Sequence, residues 1–288
     1  MKIEFLEDRA VITDLEYFDA FQTFTCGQCF RFHETVSQGA RVFEGVAFGK
    51  YLKVSQKKDS LTVFFEKKED FDLYWMKFLG LDEDYGSIRE TMRGLGGEYL
   101  DNAMESGRGI RILRQDPWEA LCSFIISQNN NIPRITSLVS ALCERYGQKK
   151  QAVIAGKDVE YYSFPTATEL FENASVQGLQ NLKMGFRAKY IADAAEKVAK
   201  GIIDLELVRE MTPDDAMAVL MTISGVGPKV ASCALLYGLY FTDLFPIDVW
   251  MKRIIDTRYA GSLDYKALGN YAGLAQQYMF YHERTVES

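Results

Sequence analysis

The sequence predicts an α+β fold, with an N-terminal antiparallel β-sheet domain followed by a mostly α-helical domain that contains a helix-hairpin-helix. Three observations support this prediction. Runs of β-branched and aromatic residues separated by short turns fill residues 41–65. Segments with helix-capping residues and apolar faces follow one another from about residue 115. A tight glycine turn, Gly225-Val226-Gly227, separates two of these helical segments.

The composition sets the broad class. Of the 288 residues, 48% are hydrophobic and 25% are charged, which is ordinary for a globular protein with a large core. No apolar run approaches the roughly 18–20 residues that span a bilayer, and the acidic N-terminus does not resemble a signal peptide. We therefore expect a cytoplasmic protein, associated with the nucleoid if it is bacterial, with no membrane partner and a monomeric state. The net charge of −7 argues against nucleic acid, but it does not exclude a local basic patch.

The first domain is placed at residues 1–113 because its pattern is mainly that of strands. Three β-rich runs, separated by a Gly-Lys pair and a Lys-Lys-Asp-Ser turn, predict an antiparallel meander over residues 41–48, 51–54 and 61–65. A short helix is expected over residues 72–79. The remainder of the first hundred residues is expected to be extended.

The second domain is placed at residues 114–288, where helix start signals recur. Asp116-Pro117-Trp118-Glu119 supplies an N-cap, a proline at the first helical position and an acidic residue in the first turn. Similar signals predict further helices over residues 135–146, 166–173, 187–200, 213–221, 228–237, 249–259 and 271–281.

Five cysteines fit reduced thiols better than a disulfide framework. Cys26-Gly27-Gln28-Cys29 matches a C-x-x-C pattern, but the chain has no second such pair and only two histidines. A zinc site needs about four ligands, so we predict no zinc. The residues after Cys29 continue an extended pattern, which favours two small residues in a strand over a redox motif.

The glycine turn is the candidate anion site. Gly225 and Gly227 permit positive φ and a close backbone approach, and the amides of Val226, Gly227 and Lys229 would lie at a helix N-terminus, which favours phosphate. Pro228 at the first helical position loses no hydrogen bond there. The alternative is an ordinary corner between two helices.

Lys229 and Asp248 flank the helix that follows this turn. A neutral lysine amine can attack C1′ of a sugar and form a Schiff base. A carboxylate opposite can stabilise the positive charge that develops as the base leaves. The alternative is a surface lysine together with an aspartate that caps the next helix, although Asp248 can both cap and act in catalysis.

Residues 220–255 resemble the helix-hairpin-helix-Gly-Pro-Asp motif of DNA base-excision glycosylases, on the turn, Lys229 and Phe245-Pro246-Ile247-Asp248. From about residue 25 to 280 the chain is similar to the 8-oxoguanine DNA glycosylase family. The resemblance implies that Lys229 is the nucleophile and Asp248 the conserved acid. It also implies a turn whose backbone carbonyls could hold a monovalent cation or calcium between protein and DNA phosphate; these are the carbonyls of Met221, Ile223 and Val226.

No cofactor is required by this chemistry. The iron–sulfur branch of the superfamily carries four cysteines near the C-terminus, whereas this chain has none after Cys233, so we predict no cluster. The branch that acts on alkylated bases lacks the lysine, and Lys229 therefore favours the bifunctional glycosylase/lyase branch.

The resemblance also implies residues that recognise the lesion and the opposite base. Gly27 matches the residue whose carbonyl accepts the N7–H of 8-oxoguanine, a position at which guanine itself is an acceptor. The flipped base would be enclosed by three further residues: Gln276, Phe280 and Cys233. Core packing is the alternative for Phe280 and Cys233.

Two polar segments resemble elements that enter the duplex. In the first, Asn129 would fill the space of the extruded base and Arg134 would contact the estranged cytosine. In the second, Phe186 would be a wedge and Arg187 a further cytosine contact. The planar donor fork of arginine suits cytosine O2 and N3, so two arginines predict a preference for cytosine over adenine.

Two positions depart from the animal pattern. Trp250 stands where animal enzymes often have a histidine that contacts phosphate, and Glu283 stands where they have aspartate. The predicted function is excision of 8-oxoguanine, preferably opposite cytosine, from double-stranded DNA by base flipping, a lysine Schiff base and β-elimination. The alternatives are a glycosylase for another oxidised or alkylated base and a non-catalytic helix-hairpin-helix DNA-binding module.

Overall fold

A computed structural model describes residues 1–37 and 39–286, of which Val36, Ser37 and Val286 are described by their backbone alone. The N-terminal part is a six-stranded sheet in the order β1-β2-β6-β5-β4-β3, in which every neighbouring pair is antiparallel. Its strands are β1 (Lys2–Phe5), β2 (Arg9–Thr13), β3 (Phe32–Ser37), β4 (Ala40–Ala47), β5 (Lys50–Lys57) and β6 (Ser60–Phe64). The three predicted β-rich runs are confirmed as β4, β5 and β6.

One face of the sheet is covered by short helical segments. These are α1 (Ala20–Thr25), a π-helical turn (Phe71–Trp75) and α2 (Met76–Phe78), the last two of which confirm the short helix predicted over residues 72–79. Aromatic side chains fill the interface: Phe24 stacks on Phe43 with ring centroids 5.1 Å apart, and Trp75 is buried. This is one of two large apolar cores.

The prediction that the rest of the first hundred residues is extended was wrong. Residues 85–106 form α3 (Tyr85–Met92) and α4 (Gly97–Ser106). The Asp84 carboxylate caps α3 by accepting a hydrogen bond from the Ser87 amide at 3.1 Å, which is a start signal that the strand-based prediction overlooked. Both helices join the apolar core of the helical part, and α4 packs against the last helix of the chain.

The helical part contains most of the predicted helices. They are α5 (Pro117–Ser127), α6 (Ile132–Tyr146), α7 (Ala167–Asn173), α9 (Arg187–Ala199), α11 (Pro213–Leu220), α12 (Pro228–Ala234) with a π-helical turn (Leu235–Leu239), α13 (Val249–Arg258) and α14 (Ala272–Val286). Helices α8 (Val176–Asn181) and α10 (Leu205–Arg209) and a 3₁₀ segment (Tyr265–Tyr271) were not predicted. A hairpin of β7 (Lys149–Ile154) and β8 (Lys157–Tyr162) was not predicted. Its turn uses Ala155 and Gly156, both at positive φ.

The placement of Cys26 and Cys29 in a strand was also wrong. Asp19 caps α1 through the Gln22 amide at 2.8 Å, and Cys26 ends that helix. Cys29 lies in the loop before β3. Within the described residues, no helix is long and apolar enough to cross a membrane. The domain boundary at residue 113 stays a prediction.

Candidate active site

The glycine turn joins α11 to α12 as a helix-hairpin-helix. Gly225 has φ of +75°, and a Cβ there would lie 2.3 Å from the Tyr190 ring of α9, so this position requires glycine for both conformation and space. Gly227 differs from the prediction because its φ is −102°. Nothing lies within 4 Å of the point where its Cβ would be. Gly227 therefore leaves open space in front of the α12 N-terminus.

One of the three predicted anion-binding amides is already used. The Val226 N–H donates to the Ile223 carbonyl at 3.0 Å because the turn closes on itself. The Gly227 N–H donates to no acceptor in the described part of the chain. The free amides thus begin at Gly227, at the N-terminal end of α12.

The three predicted carbonyl ligands lie on this same turn. Those of Met221 and Val226 accept no hydrogen bond from the described residues, whereas that of Ile223 accepts the one from Val226. A carbonyl oxygen has two lone pairs, so this donor set remains compatible with a cation. Across residues 1–37 and 39–286, no group of three or more His, Cys, Asp or Glu side chains could hold a metal ion. The expectations about metals and clusters stay predictions.

Lys229 is the second residue of α12 and is half-buried. Its Nζ lies 3.4 Å from Ser127 Oγ, at the C-terminal end of α5, and 5.5 Å from the centre of the Phe124 ring. The amine is therefore held over the end of α5, two residues before Asn129, rather than pointing freely into solvent.

Asp248 is the N-cap of α13 and is also half-buried. Its Oδ1 accepts a hydrogen bond from the Met251 amide at 2.8 Å, so it does cap its helix. Cys233, one turn after Lys229 on α12, is buried. Burial raises the pKa of the Cys233 thiol to about 11, while the charge of Lys229 acts to lower it and that of Asp248 to raise it. The amine and the carboxylate therefore both lie within electrostatic reach of one thiol.

Gly27 and Phe280 meet although they lie near opposite ends of the chain. Gly27 has φ of +91°, and its Cβ position is 3.5 Å from Phe280 Cε1 and 3.4 Å from Ile132 Cδ1. The turn is fixed by α14, because Gln277 Nε2 donates to the Cys26 carbonyl at 3.0 Å. Burial raises the pKa of the Cys26 thiol to about 12, which does not favour a redox role.

Gln276 and Gln277 are adjacent and buried, but only one of them is satisfied. Gln277 bonds to Cys26 and accepts a short hydrogen bond from the Tyr237 hydroxyl. The Oε1 of Gln276 is buried, and no partner for it exists in the part of the chain that the structure describes. A buried acceptor without a partner is costly, and the Gln276 oxygen is open to a donor from a ligand or from an ordered water.

Arg284 was missed by the sequence interpretation. Its guanidinium carbon lies 5.2 Å from the Phe280 ring centre, and its Nη1 is 3.6 Å from the Cβ position of Gly27. Its position four residues after Phe280 on α14 was the available signal.

The three-asparagine loop connects α5 to α6. Asn129 is exposed at φ of +48°, and Asn131 caps α6 through the Arg134 amide at 3.0 Å. The buried Arg187 holds this loop through two backbone carbonyls. Its Nε donates to Gln128 O at 2.9 Å and its Nη2 donates to Asn129 O at 2.8 Å. Its Nη2 also donates to Gln128 O. Arg187 is thus a clamp on the loop in this structure.

Arg134 and Phe186 are the exposed members of this group. Burial lowers the pKa of Arg187, and the positive charge of Arg134 acts in the same direction. Phe186 precedes α9, is 48% exposed, and packs edge-on to Tyr190 at 5.7 Å. Its exposed ring is available to a partner molecule.

Trp250 and Glu283 occupy different places. Trp250 lies half-buried in the first turn of α13. Glu283 is buried and accepts a hydrogen bond from the Tyr99 hydroxyl at 2.6 Å and from Arg258 at 3.2 Å. Burial acts to raise the pKa of Glu283, but these bonds bring it below its usual value. Glu283 therefore fixes the end of α13 that lies opposite Asp248.

The predicted residues fall into three groups. The first contains Lys229, Cys233 and Asp248; the second contains Gly27 and Phe280, with Gln276 on the same helix as Phe280; the third contains Asn129, Arg134, Phe186 and Arg187. Ser127 links the first and third groups, since it contacts Lys229 and ends the helix that leads into the asparagine loop.

Comparison with known proteins identifies the family of the chain. The family model of the 8-oxoguanine DNA glycosylase N-terminal domain matches residues 10–121, and that of the HhH-GPD superfamily of base excision DNA repair proteins matches residues 122–265. A Saccharomyces cerevisiae N-glycosylase/DNA lyase is 40% identical over 164 residues, which are 54% of this chain and 43% of the yeast protein. The match thus spans less than half of that relative.

Two further proteins match over more of their length. A probable N-glycosylase/DNA lyase of Methanothermobacter thermautotrophicus is 30% identical over 262 residues, covering 81% of this chain and 78% of that protein. The Clostridium acetobutylicum 8-oxoguanine glycosylase/lyase, solved with double-stranded DNA containing cytosine opposite 8-oxoguanine, superposes with a TM-score of 0.89 at 33% identity, covering 100% of this chain and 99% of the other. The chain belongs to the HhH-GPD superfamily of base excision DNA repair proteins and carries the N-terminal domain of the 8-oxoguanine DNA glycosylases.

Proposed function

We propose that this protein is a bifunctional DNA glycosylase/AP lyase that removes 8-oxoguanine, preferably opposite cytosine, from double-stranded DNA. The observation that carries the proposal is the half-buried Lys229 amine in the first turn of α12, 3.4 Å from Ser127 Oγ, followed by the half-buried Asp248 at the start of α13. A module that only bound DNA would not need this pair. The Clostridium relative was solved on such a duplex, which supports the same substrate here. We place the activity in the cytoplasm, on nucleoid DNA if the source is bacterial, and expect a monomer.

The amine and the carboxylate divide the reaction between them. The Lys229 nitrogen forms a bond to C1′ as the C1′–N9 bond breaks, and the electron pair leaves with the base, which takes up a proton. Asp248 stabilises the positive charge that develops on the sugar. The attached nitrogen loses a proton, and the C1′–O4′ bond then breaks while O4′ takes up a proton, which opens the sugar ring and leaves an iminium between Lys229 and C1′. This iminium loses a proton from C2′, and the C3′–O bond then breaks to release the 3′ phosphate by β-elimination.

The second group of residues reads the flipped base. 8-Oxoguanine carries a hydrogen on N7 where guanine has only a lone pair, so the Gly27 carbonyl attracts the lesion and repels the normal base. The unpaired Gln276 Oε1 suits the donors on the Watson–Crick edge of guanine. The Phe280 ring supplies a stacking surface, and Cys233 forms the opposite wall.

The third group holds the distorted duplex. Asn129 fills the vacated space, Phe186 wedges the stack, and Arg134 addresses the estranged cytosine. Arg187 reaches that cytosine from the clamp position, in which it also fixes the asparagine loop. The amides that begin at Gly227 bind phosphate, and the indole N–H of Trp250 offers a further donor to the backbone. A cation held by the carbonyls of the turn would add positive charge between the hairpin and the phosphate.

Borohydride trapping on a duplex with 8-oxoguanine opposite cytosine tests the proposal. Wild-type protein should form a covalent adduct, and Lys229→Gln should lose it by more than about a thousandfold because the nucleophile is absent. Lys157→Gln, which changes an exposed lysine at the tip of the β7–β8 hairpin, is the matched control and should trap normally.

Two results would count against the proposal. An undiminished adduct with Lys229→Gln would show that another amine reacts. An adduct that forms only on duplexes with a different oxidised or alkylated base would favour the alternative substrate class.

A further inference from the structure

Three side chains on one face of α9 contact the hairpin turn. Tyr190, Asp193 and Lys197 are spaced by three and four residues, which places them on the same side of a helix. The Tyr190 ring fills the space beside Gly225, where a Cβ would approach it to 2.3 Å. The hairpin is therefore seated directly on α9.

An ion pair on this face holds the backbone of the turn at two points. The Asp193 carboxylate accepts a hydrogen bond from the Ser224 amide at 2.7 Å and from Lys197 Nζ at 2.9 Å. The Lys197 ammonium also donates to the Thr222 carbonyl at 2.6 Å. Both side chains are about one-quarter exposed, at 26% and 22%. Such charge-assisted bonds to backbone are stronger than those of a freely solvated pair.

Asp193 carries its charge at neutral pH. Burial acts to raise its pKa, but the hydrogen bond from the Ser224 amide and the Lys197 ammonium bring that pKa below its usual value. The Asp193 carboxylate therefore remains ionised under the conditions in which the hairpin would bind DNA.

The two held residues alternate with the carbonyls that could bind a cation. Thr222 lies between Met221 and Ile223, and Ser224 follows Ile223. We propose that the Asp193–Lys197 pair braces the hairpin in its phosphate-binding geometry and makes its affinity for DNA nearly independent of a bound cation. This inference rests on the proposed DNA-binding function of the hairpin. Lys197 and Asp193 are positioning residues, since they act through the turn.

The same helix begins at the proposed wedge. Phe186 and Arg187 lie at its N-terminal end, and the brace lies two to three turns further along. A rigid α9 therefore fixes the separation between the wedge and the phosphate-binding hairpin. Loosening the hairpin should weaken binding to a lesion duplex even though no residue that touches DNA is changed.

The test measures binding without catalysis. In a Lys229→Gln background, fluorescence anisotropy would follow a labelled duplex with 8-oxoguanine opposite cytosine. The titration is run in potassium chloride and in tetramethylammonium chloride at equal ionic strength, because tetramethylammonium is too large for a carbonyl site. The Lys229→Gln protein with Asp193 and Lys197 intact should bind the duplex with nearly equal affinity in the two salts. Lys197→Met should bind about tenfold more weakly in tetramethylammonium than in potassium.

Two further variants separate bracing from charge. Lys200→Met removes an exposed lysine of an acid–lysine pair at the end of the same helix, whose Nζ lies 2.6 Å from Glu196, and it should not create a salt preference. Asp193→Ala removes a negative charge, so simple attraction predicts tighter binding, whereas bracing predicts weaker binding in tetramethylammonium. Thermal unfolding of each variant checks that the fold is retained.

The inference fails if Lys197→Met and Lys200→Met bind alike in both salts, or if Asp193→Ala binds more tightly. It also fails if Lys197→Met loses the same affinity in both salts, since Lys197 would then only add positive charge. None of these results affects borohydride trapping by the wild-type protein, so the proposed function is tested independently of this inference.

Discussion

The reaction centre and the base-reading slot are built in different ways. The helix-hairpin-helix, Lys229 and Asp248 come from one continuous stretch, residues 213–258, whose helices and caps are set by neighbouring residues. The slot instead joins Gly27, just after α1, to Phe280 in the last helix. The chemistry is therefore local in sequence, whereas substrate choice depends on how the two ends of the chain pack together.

This contrast has a physical basis. A helix start is specified within a few residues, because the capping side chain and the amide that it binds are close in sequence. The contact between α14 and the turn after α1 depends on long-range packing, which includes the Gln277 bond to the Cys26 carbonyl. Substitutions in the hairpin should thus lower the free energy of unfolding through backbone strain. Substitutions in the slot should instead affect folding at some positions and base recognition at others.

The largest expected effect on stability lies in the hairpin, and it tests how strongly the locally specified region depends on backbone conformation. Gly225→Ala should lower the free energy of unfolding by about 2–4 kcal/mol, because its Cβ would lie 2.3 Å from the Tyr190 ring at a φ of +75°. Gly227→Ala should change it by less than about 0.5 kcal/mol, since its φ is −102° and the space is open. Urea denaturation measures both.

Gly227→Ala should nevertheless weaken DNA binding, because the new methyl group would occupy the space in front of the α12 N-terminus. Anisotropy with the lesion duplex measures this loss. Equal stability losses in the two variants would contradict the different roles assigned to the two glycines.

The adjacent Gln276 and Gln277 provide the next test, which concerns the base-reading slot. Gln277→Leu should cost about 2 kcal/mol of folding free energy, because it leaves the Cys26 carbonyl and the Tyr237 hydroxyl unpaired. Gln276→Leu should be nearly neutral for folding, because its Oε1 has no partner to lose among the described residues. Thermal or urea unfolding distinguishes the two.

Base recognition, unlike folding, should depend on Gln276. Gln276→Leu should reduce single-turnover excision of 8-oxoguanine by about tenfold while the protein remains folded. A Gln276→Leu protein that excises the lesion at the wild-type rate would show that its buried oxygen does not read the base.

The sequence predicts the local region better than the distant contacts. The N-caps at Asp116 and Asp248 and the positive φ of Gly225 follow from residue type and spacing, and the structure has them. The helices α1, α3, α4, α8 and α10 and the β7–β8 hairpin were missed because they are short or lie in segments interpreted as strand or loop. Asp84, for example, begins α3 within a region that reads as polar loop.

Distant contacts leave no such trace in the sequence. Nothing in the residues around Gly27 indicates that Phe280 and Arg284 will lie beside it. Phe280 was assigned to the same pocket only through family resemblance, and Arg284 was missed. The Asp193–Lys197 pair looks like an ordinary surface i, i+4 pair, and its contact with Ser224 and Thr222 appears only in three dimensions. The roles of all these residues in the reaction stay predictions.

The smallest expected effect concerns the opposite base. Arg134 is exposed on the first turn of α6, so Arg134→Ala should leave unfolding unchanged within about 0.5 kcal/mol. The ratio of excision rates opposite cytosine and opposite adenine should fall by about tenfold, because one bidentate contact with cytosine is lost. Arg145→Ala, at the exposed far end of the same helix, should leave the ratio intact.

Arg187→Ala tests whether recognition and loop structure can be separated at all. Its guanidinium holds the carbonyls of Gln128 and Asn129, so the variant should lose both stability and opposite-base preference, unlike Arg134→Ala. Single-turnover rates on the two duplexes, together with urea unfolding, give both quantities. If Arg187→Ala retained full stability but lost preference, Arg187 would act only on the base, and the loop would be fixed by Asn131 and the helix ends. If it lost stability but kept preference, the clamp would be its whole role, and Arg134 would be the residue that distinguishes cytosine from adenine.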